Sequence, residues 1–123
     1  MRLTRLYRGF ARSKSESSTA SAALARKNLE LEKSGLSYFK IAPDFQTPFG
    51  HVHGEQEEVY VVVSGSARAK IGDEIVELQQ WDALRVAPGV WRSLAGGSDG
   101  AEILAFGAPN TENGDIEMSR DFW

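Results

Sequence analysis

Between residues 36 and 108 the chain holds no stretch with the length and period of a ten-residue helix. Short runs rich in Val, Ile, Leu and aromatics follow one another instead: LSYFKIA, HVH, EVYVVV, ARAKI, EIVEL, ALRVA, VWRSL and AEILAF. Turn signals separate them, at Pro43-Asp44, Pro48-Phe49-Gly50, Ser64-Gly65-Ser66, Gly72-Asp73, Pro88-Gly89 and Gly96 to Gly100. Strands recurring every 8 to 12 residues or so, with no helices between them, describe an antiparallel sandwich or barrel and not βαβ units. The Gly96–Gly100 run has no helix after it, so it reads as a hairpin turn and not as a phosphate loop.

Length sets the scale. One domain fits in 123 residues, and a domain of this size buries roughly two thirds of the surface its unfolded chain exposes. Hydrophobic residues at 41% and charged residues at 25% are those of a folded, not a disordered, chain. The absence of cysteine excludes disulfides, thiolate zinc sites, iron–sulfur ligation and cysteine nucleophiles. A net charge of -3 is not the basic field of a general phosphate-backbone binder, so no nucleic-acid partner is expected. No apolar run approaches the roughly 18 residues of a membrane span, and no membrane association is expected.

The ends are less regular. Arg2, Arg5, Arg8 and Arg12 precede a serine-rich segment, SKSESSTAS, over residues 13–21. Glu16 interrupts what would otherwise resemble a transit peptide, and no apolar segment follows the charges as a secretory signal requires, so a cytoplasmic location is expected. Residues 1–24 read as a polar N-terminal arm, partly mobile, residues 25–108 as the barrel, and residues 109–123 as a tail packing on the barrel or on a partner subunit. Residues 19–34 admit two readings. One is a helix capped by Thr19 or Ser21 and ended by Gly35. The other is a strand over Ala25–Leu31 turning into a second over Leu36–Ala42. A short helix or loop leading into strand pairing near residue 27 is favoured.

The chemistry concentrates in one place. The chain has two histidines, His51 and His53, two apart, and in a strand such residues share a face. Carboxylates follow at Glu55, Glu57 and Glu58; the first two read as solvated loop charges. Glu58 opens EVYVVV and shares a face with Tyr60 and Val62. Two imidazoles and a carboxylate from adjacent antiparallel strands make a facial ligand set for a divalent metal. With both histidines in one motif, a Ser-His-Asp arrangement has little material. Arg68, Lys70 and Arg85 alternate with apolar residues and read as solvent-facing. Trp81 and Trp91 read as core or interface aromatics, with ligand stacking the other use.

HVHGEQEEVYVVVSG, His51 to Gly65, resembles the first motif of the cupins: His-x-His, three or four residues, Glu, six residues, Gly. His51, His53, Glu58 and Gly65 match it. WDALRVAPGVWR resembles the second motif through Asp82, Pro88 and Gly89. The resemblance covers roughly residues 36–108 and implies a small single-domain cupin, an all-β double-stranded β-helix or jelly-roll barrel. Two positions depart from the pattern. Phe45 stands where the first motif has its leading glycine, while Gly50 directly precedes His51. More consequentially, Arg92 stands where the family has its third histidine ligand. A guanidinium stays protonated and cannot ligate a metal.

Three outcomes stay open. His51, His53 and Glu58 hold a metal as a triad, with Arg92 turned toward a bound anion. Alternatively Arg92 pairs with Glu58 and no metal binds. In the third, the motif only shapes the barrel. On the first, the resemblance implies one divalent ion (Fe, Mn, Ni or Zn), held more weakly than on four ligands, and no other cofactor. Tyr60 and Arg92 are the candidate substrate-binding residues, and the expected ligand is a small anionic organic compound. The function is then either metal-dependent catalysis or metal-free ligand binding or regulation. Leu3, Leu6, Tyr7 and Phe10 give the arm more apolar character than a free tail needs, and a homodimer paired through it is expected.

Overall fold

The computed structural model describes Thr4, Arg5, Arg8 and residues 20–111 and 114–123. The expectations placed on Leu3, Leu6, Tyr7, Phe10 and most of residues 1–19 lie outside these residues. Arg5 is described, and its guanidinium pairs with the Glu30 carboxylate.

Eight strands and one helical turn make up the described chain. They are β1 Ala20–Leu24, α1 Arg26–Leu29, β2 Gly35–Ile41, β3 Phe49–His53, β4 Glu57–Ile71, β5 Glu74–Leu78, β6 Ala83–Val86, β7 Arg92–Ala108 and β8 Ile116–Arg120. All pairings are antiparallel within a single curled sheet, ordered β1-β2-β7-β3-β8, with β4 joined to β5, β6 and β7. This is a double-stranded β-helix. No helix among the described residues is long and apolar enough to cross a membrane.

The two long strands β4 and β7 form the spine. Glu57–Val62 pair with Ile103–Ala108, and Ala67–Ile71 pair with Arg92–Gly96. Each long strand joins two runs that the turn signals had divided. The Gly96–Gly100 segment is therefore not a hairpin turn. It lies inside β7 between the pairs Gly96↔Ala67 and Ala101↔Gly65, and register shifts at Val62/Ser64 and Gly65/Ala67 of β4 mark bulges there. Glycines on both strands at this shift, Gly65 on β4 and Gly96, Gly97 and Gly100 on β7, let the two bend together without parting. Gly65 and Gly100 each hold φ of +75°, and a Cβ on Gly65 would lie 2.0 Å from the Gly100 carbonyl oxygen. The motif glycine is thus a requirement of the corner.

Burial alternates along β4, with Glu58, Tyr60 and Val62 inward. The core gathers Ile41, Tyr60, Val62, Leu78, Val86, Leu94 and Ile103, with alanines at Ala67, Ala69, Ala101 and Ala105.

Ser21 lies in β1 and caps nothing. The helix is the single turn Arg26–Leu29, begun by Ala25 without a side-chain cap and ended at Glu30 in the left-handed region. β1 pairs with β2 from Ala20↔Ile41 to Leu24↔Ser37, so the ladder, and not a cap, fixes this segment. At the other end, β8 pairs with β3 from Phe49↔Arg120 to His53↔Ile116. Phe122 stacks on Trp91, with ring centroids 6.2 Å apart, and Trp123 Nε1 donates to the Thr47 carbonyl at 3.1 Å. A Cβ on Gly50 would lie 2.4 Å from Phe122 Cγ, so the glycine before His51 makes room for this tail.

Candidate functional site

Three elements bring the site together. β3 presents His51 and His53, the start of β4 presents Glu58 and Tyr60, and the start of β7 presents Arg92, whose backbone faces His51 across the ladder. The Pro88-Gly89 turn reaches the same point: Gly89 N–H donates to the His53 carbonyl at 2.7 Å, with Gly89 at φ +80°. The second motif therefore braces the end of the strand that carries the histidines.

Four side chains converge on one oxygen, Glu58 Oε1. Tyr60 donates its hydroxyl to it at 2.8 Å; His51 Nε2 lies 3.3 Å away, His53 Nε2 3.4 Å and Arg92 Nη2 3.4 Å. Burial alone would raise the Glu58 carboxyl. Hydrogen bonds from His51 and Tyr60 and the charges of His51 and Arg92 outweigh it and hold the carboxyl below its usual value. Burial first, then the Glu58 charge, pushes the Tyr60 phenol well above its ordinary range. Tyr60 is thus a neutral donor held in place.

The ligand atoms of His51, His53 and Glu58 all lie within 4.8 Å of one another, a set that fits one divalent ion. The outer contacts agree. Asp115 Oδ1 lies 3.0 Å from His53 Nδ1, which leaves Nε2 facing Glu58 and free to ligate. Asp115 also accepts from the backbone N–H groups of Glu55 and Gln56 and from the Thr111 hydroxyl, each at 2.9 Å. Burial would raise the Asp115 carboxyl, but these bonds, His53's first, hold it well below the usual carboxylate range. Sequence reasoning missed this residue, since Asp115 stands 62 positions from His53 in a polar tail. As a positioning residue, Asp115 is expected to matter to metal affinity. Asp115→Asn should weaken zinc binding about tenfold or more by isothermal titration. An unchanged affinity would remove Asp115 from that role.

Arg92 is 0% exposed and Tyr60 1%, so both form the inner wall and not the mouth. Arg92 Nη1 donates to the Val90 carbonyl at 3.0 Å. A guanidinium this close to Glu58 opposes a second cation on the same carboxylate. The cavity in front of the histidines has a volume of about 660 Å³. Phe39, Ala105 and Ile116 line it, and Leu24 and Met118, 63% and 61% exposed, line it too. Arg26 and Lys27 also line it, and Arg26 Nη1 donates to Asn110 Oδ1 at 2.7 Å. Arg68, Lys70 and Arg85 are absent from this cavity. Arg85 instead pairs with Glu57 on the surface at 2.5 Å. Trp81 is also elsewhere, 69% exposed.

No protein-family profile matches the sequence, and no curated protein is similar enough to count as a relative. Solved structures are informative. The chain is similar to a cupin protein from Bacteroides fragilis, 25% identical, over 90% of this chain and 88% of that one, with a TM-score of 0.73. It is similar to a double-stranded β-helix protein from Klebsiella pneumoniae, 18% identical, over 95% and 98% of the two chains, with a TM-score of 0.75. The Streptomyces nucleoside dehydratase Pac13 is 14% identical over 86% of this chain and 82% of its own, with a TM-score of 0.71. The chain has the cupin fold.

Proposed function

We propose that this cupin binds a small anionic organic molecule inside the barrel beside His51, and acts on it with one divalent ion held by His51, His53 and Glu58. The observation that carries the reading is the convergence of three donor atoms with Asp115 orienting one of them. A metal so held, with open positions, supplies Lewis-acid polarisation of a ligand oxygen. The protein's own part is positional. Tyr60 and Arg92 fix the Glu58 carboxylate, Asp115 fixes the His53 ring, and the guanidinium lends positive potential to the inner wall. Fe, Mn, Ni and Zn all suit this donor set. Pac13 is a nucleoside dehydratase recorded with uridine, so a barrel of this shape is compatible with enzymatic work on small molecules.

The experiment is the metal content of protein purified without a histidine tag, followed by titration with Mn²⁺, Fe²⁺, Ni²⁺ and Zn²⁺. One equivalent of binding, lost in His53→Ala, is the expected result. No binding of any of the four ions would overturn the metal-dependent reading. It would favour the second, a metal-free binding or regulatory cupin, for which the Arg92–Glu58 pair at 3.4 Å is the specific support.

We also place the chain in solution as a homodimer. β1 pairs on one side with β2 and has no strand partner on the other among the described residues, and an open edge favours pairing with a second copy. Light scattering at micromolar concentration should give twice 13.5 kDa; a mass near 13.5 kDa would refute the dimer.

A further inference from the structure

The Arg92 side chain is buried and only partly used. Nη1 is bonded to Val90, but Nε and Nη2 make no hydrogen bond among the described residues. These two nitrogens form one side of the guanidinium, and their parallel N–H groups match the two oxygens of a carboxylate. Buried donors are rarely left without an acceptor. Arg92 also lines a second cavity of about 320 Å³, walled by Phe39, Ile41, Phe49 and Leu94. That volume is at the small end for ligand pockets and suits one ring or a short acyl chain. Nearby polar groups already have partners. Ser93 Oγ donates to the Phe49 carbonyl at 2.9 Å, Thr47 Oγ1 to the Leu94 carbonyl at 2.9 Å, and the Tyr60 hydroxyl to Glu58.

We infer that Arg92 seats a small apolar carboxylate, bound side-on through Nε and Nη2 with its hydrocarbon body in this lobe. The inference deepens the reading of the barrel as a small-molecule site and rests on it. It also fixes a coupling. Glu58 and the incoming carboxylate share one guanidinium and repel each other, and a divalent ion on His51, His53 and Glu58 offsets that repulsion. Carboxylate and metal therefore favour each other's binding, by the same factor in both directions.

Isothermal titration of the full chain with benzoate and its neutral isostere benzamide tests the seat. The EDTA-treated protein comes first, because a carboxylate can also ligate zinc directly. Benzoate should bind at least tenfold tighter than benzamide, and zinc loading should raise its affinity further. Arg92→Met should erase the preference. Ala22→Trp fills the lobe from an exposed position and should abolish benzoate binding while leaving zinc affinity unchanged, which keeps the test sound if Arg92→Met does not fold. Equal affinity for the two probes, or benzoate binding undiminished in Ala22→Trp, would overturn the seat. Zinc binding without benzoate discrimination removes the seat and leaves the metal reading standing. Benzoate discrimination without zinc binding does the reverse.

Discussion

Glu58→Gln is expected to destabilise the fold by about 3–5 kcal/mol, the cost of leaving one member of a buried ion pair without its partner. Arg92 is 0% exposed and Glu58 is 13% exposed, so neither charge is well served by water. The variant retains an acceptor oxygen for Tyr60 and a nearly identical shape. What it loses is the negative charge against which Arg92 is buried. Against a total stability of roughly 5–15 kcal/mol, such a loss is large and should lower the melting temperature by on the order of 10 °C. A companion variant separates charge from packing. Glu58→Gln combined with Arg92→Met removes both charges, and much of the lost stability should return, because an apolar replacement of a buried pair is often neutral or better. Urea denaturation of the three proteins measures this. If Glu58→Gln unfolds at the wild-type midpoint, the two charges are not coupled in the folded protein.

The same two residues show how much of the site could be read from sequence. His51, His53 and Glu58 were legible because strand periodicity places residues two apart on one face, and because the first cupin motif fixes the step to Glu58. Arg92 was legible only through the second motif, where Pro88-Gly89 set the count. The structure places its backbone opposite His51. Asp115 was not legible. Its contact with His53 exists only because β8 returns along β3, and the polar tail carried no periodic signal for that strand.

The fold shows the same division. The alternating runs indicated an all-β barrel, yet Gly96–Gly100 and Ser64-Gly65-Ser66 misled. The residues that reverse a chain in a hairpin also bend two paired strands through a corner, since both need small side chains and positive φ. Only the partner strand decides which occurs. Likewise Ser21 is an ordinary helix cap by type, but its pairing with Lys40 of β2 outweighed that local preference.

Arg92→His should tighten zinc binding at least tenfold, about 1.4 kcal/mol. Two effects act in one direction. The substitution removes a fixed cation whose Nη2 lies 3.4 Å from Glu58 Oε1, and so ends its competition with the metal for that carboxylate. It also adds a neutral imidazole at a position paired in register with His51, where facing Cβ atoms stand about 5 Å apart, near enough for a third ring to join the ligand set. Because imidazole must be neutral to ligate, the gain should fade below about pH 6, near the ordinary histidine pKa. The anion seat predicts a second change in the same variant: benzoate should lose its advantage over benzamide even as zinc binds better. A general disturbance of the barrel would weaken both ligands together, so opposite shifts are diagnostic of Arg92 itself. If Arg92→His binds zinc no tighter than wild type, the side chain at position 92 does not reach the point on which His51, His53 and Glu58 converge.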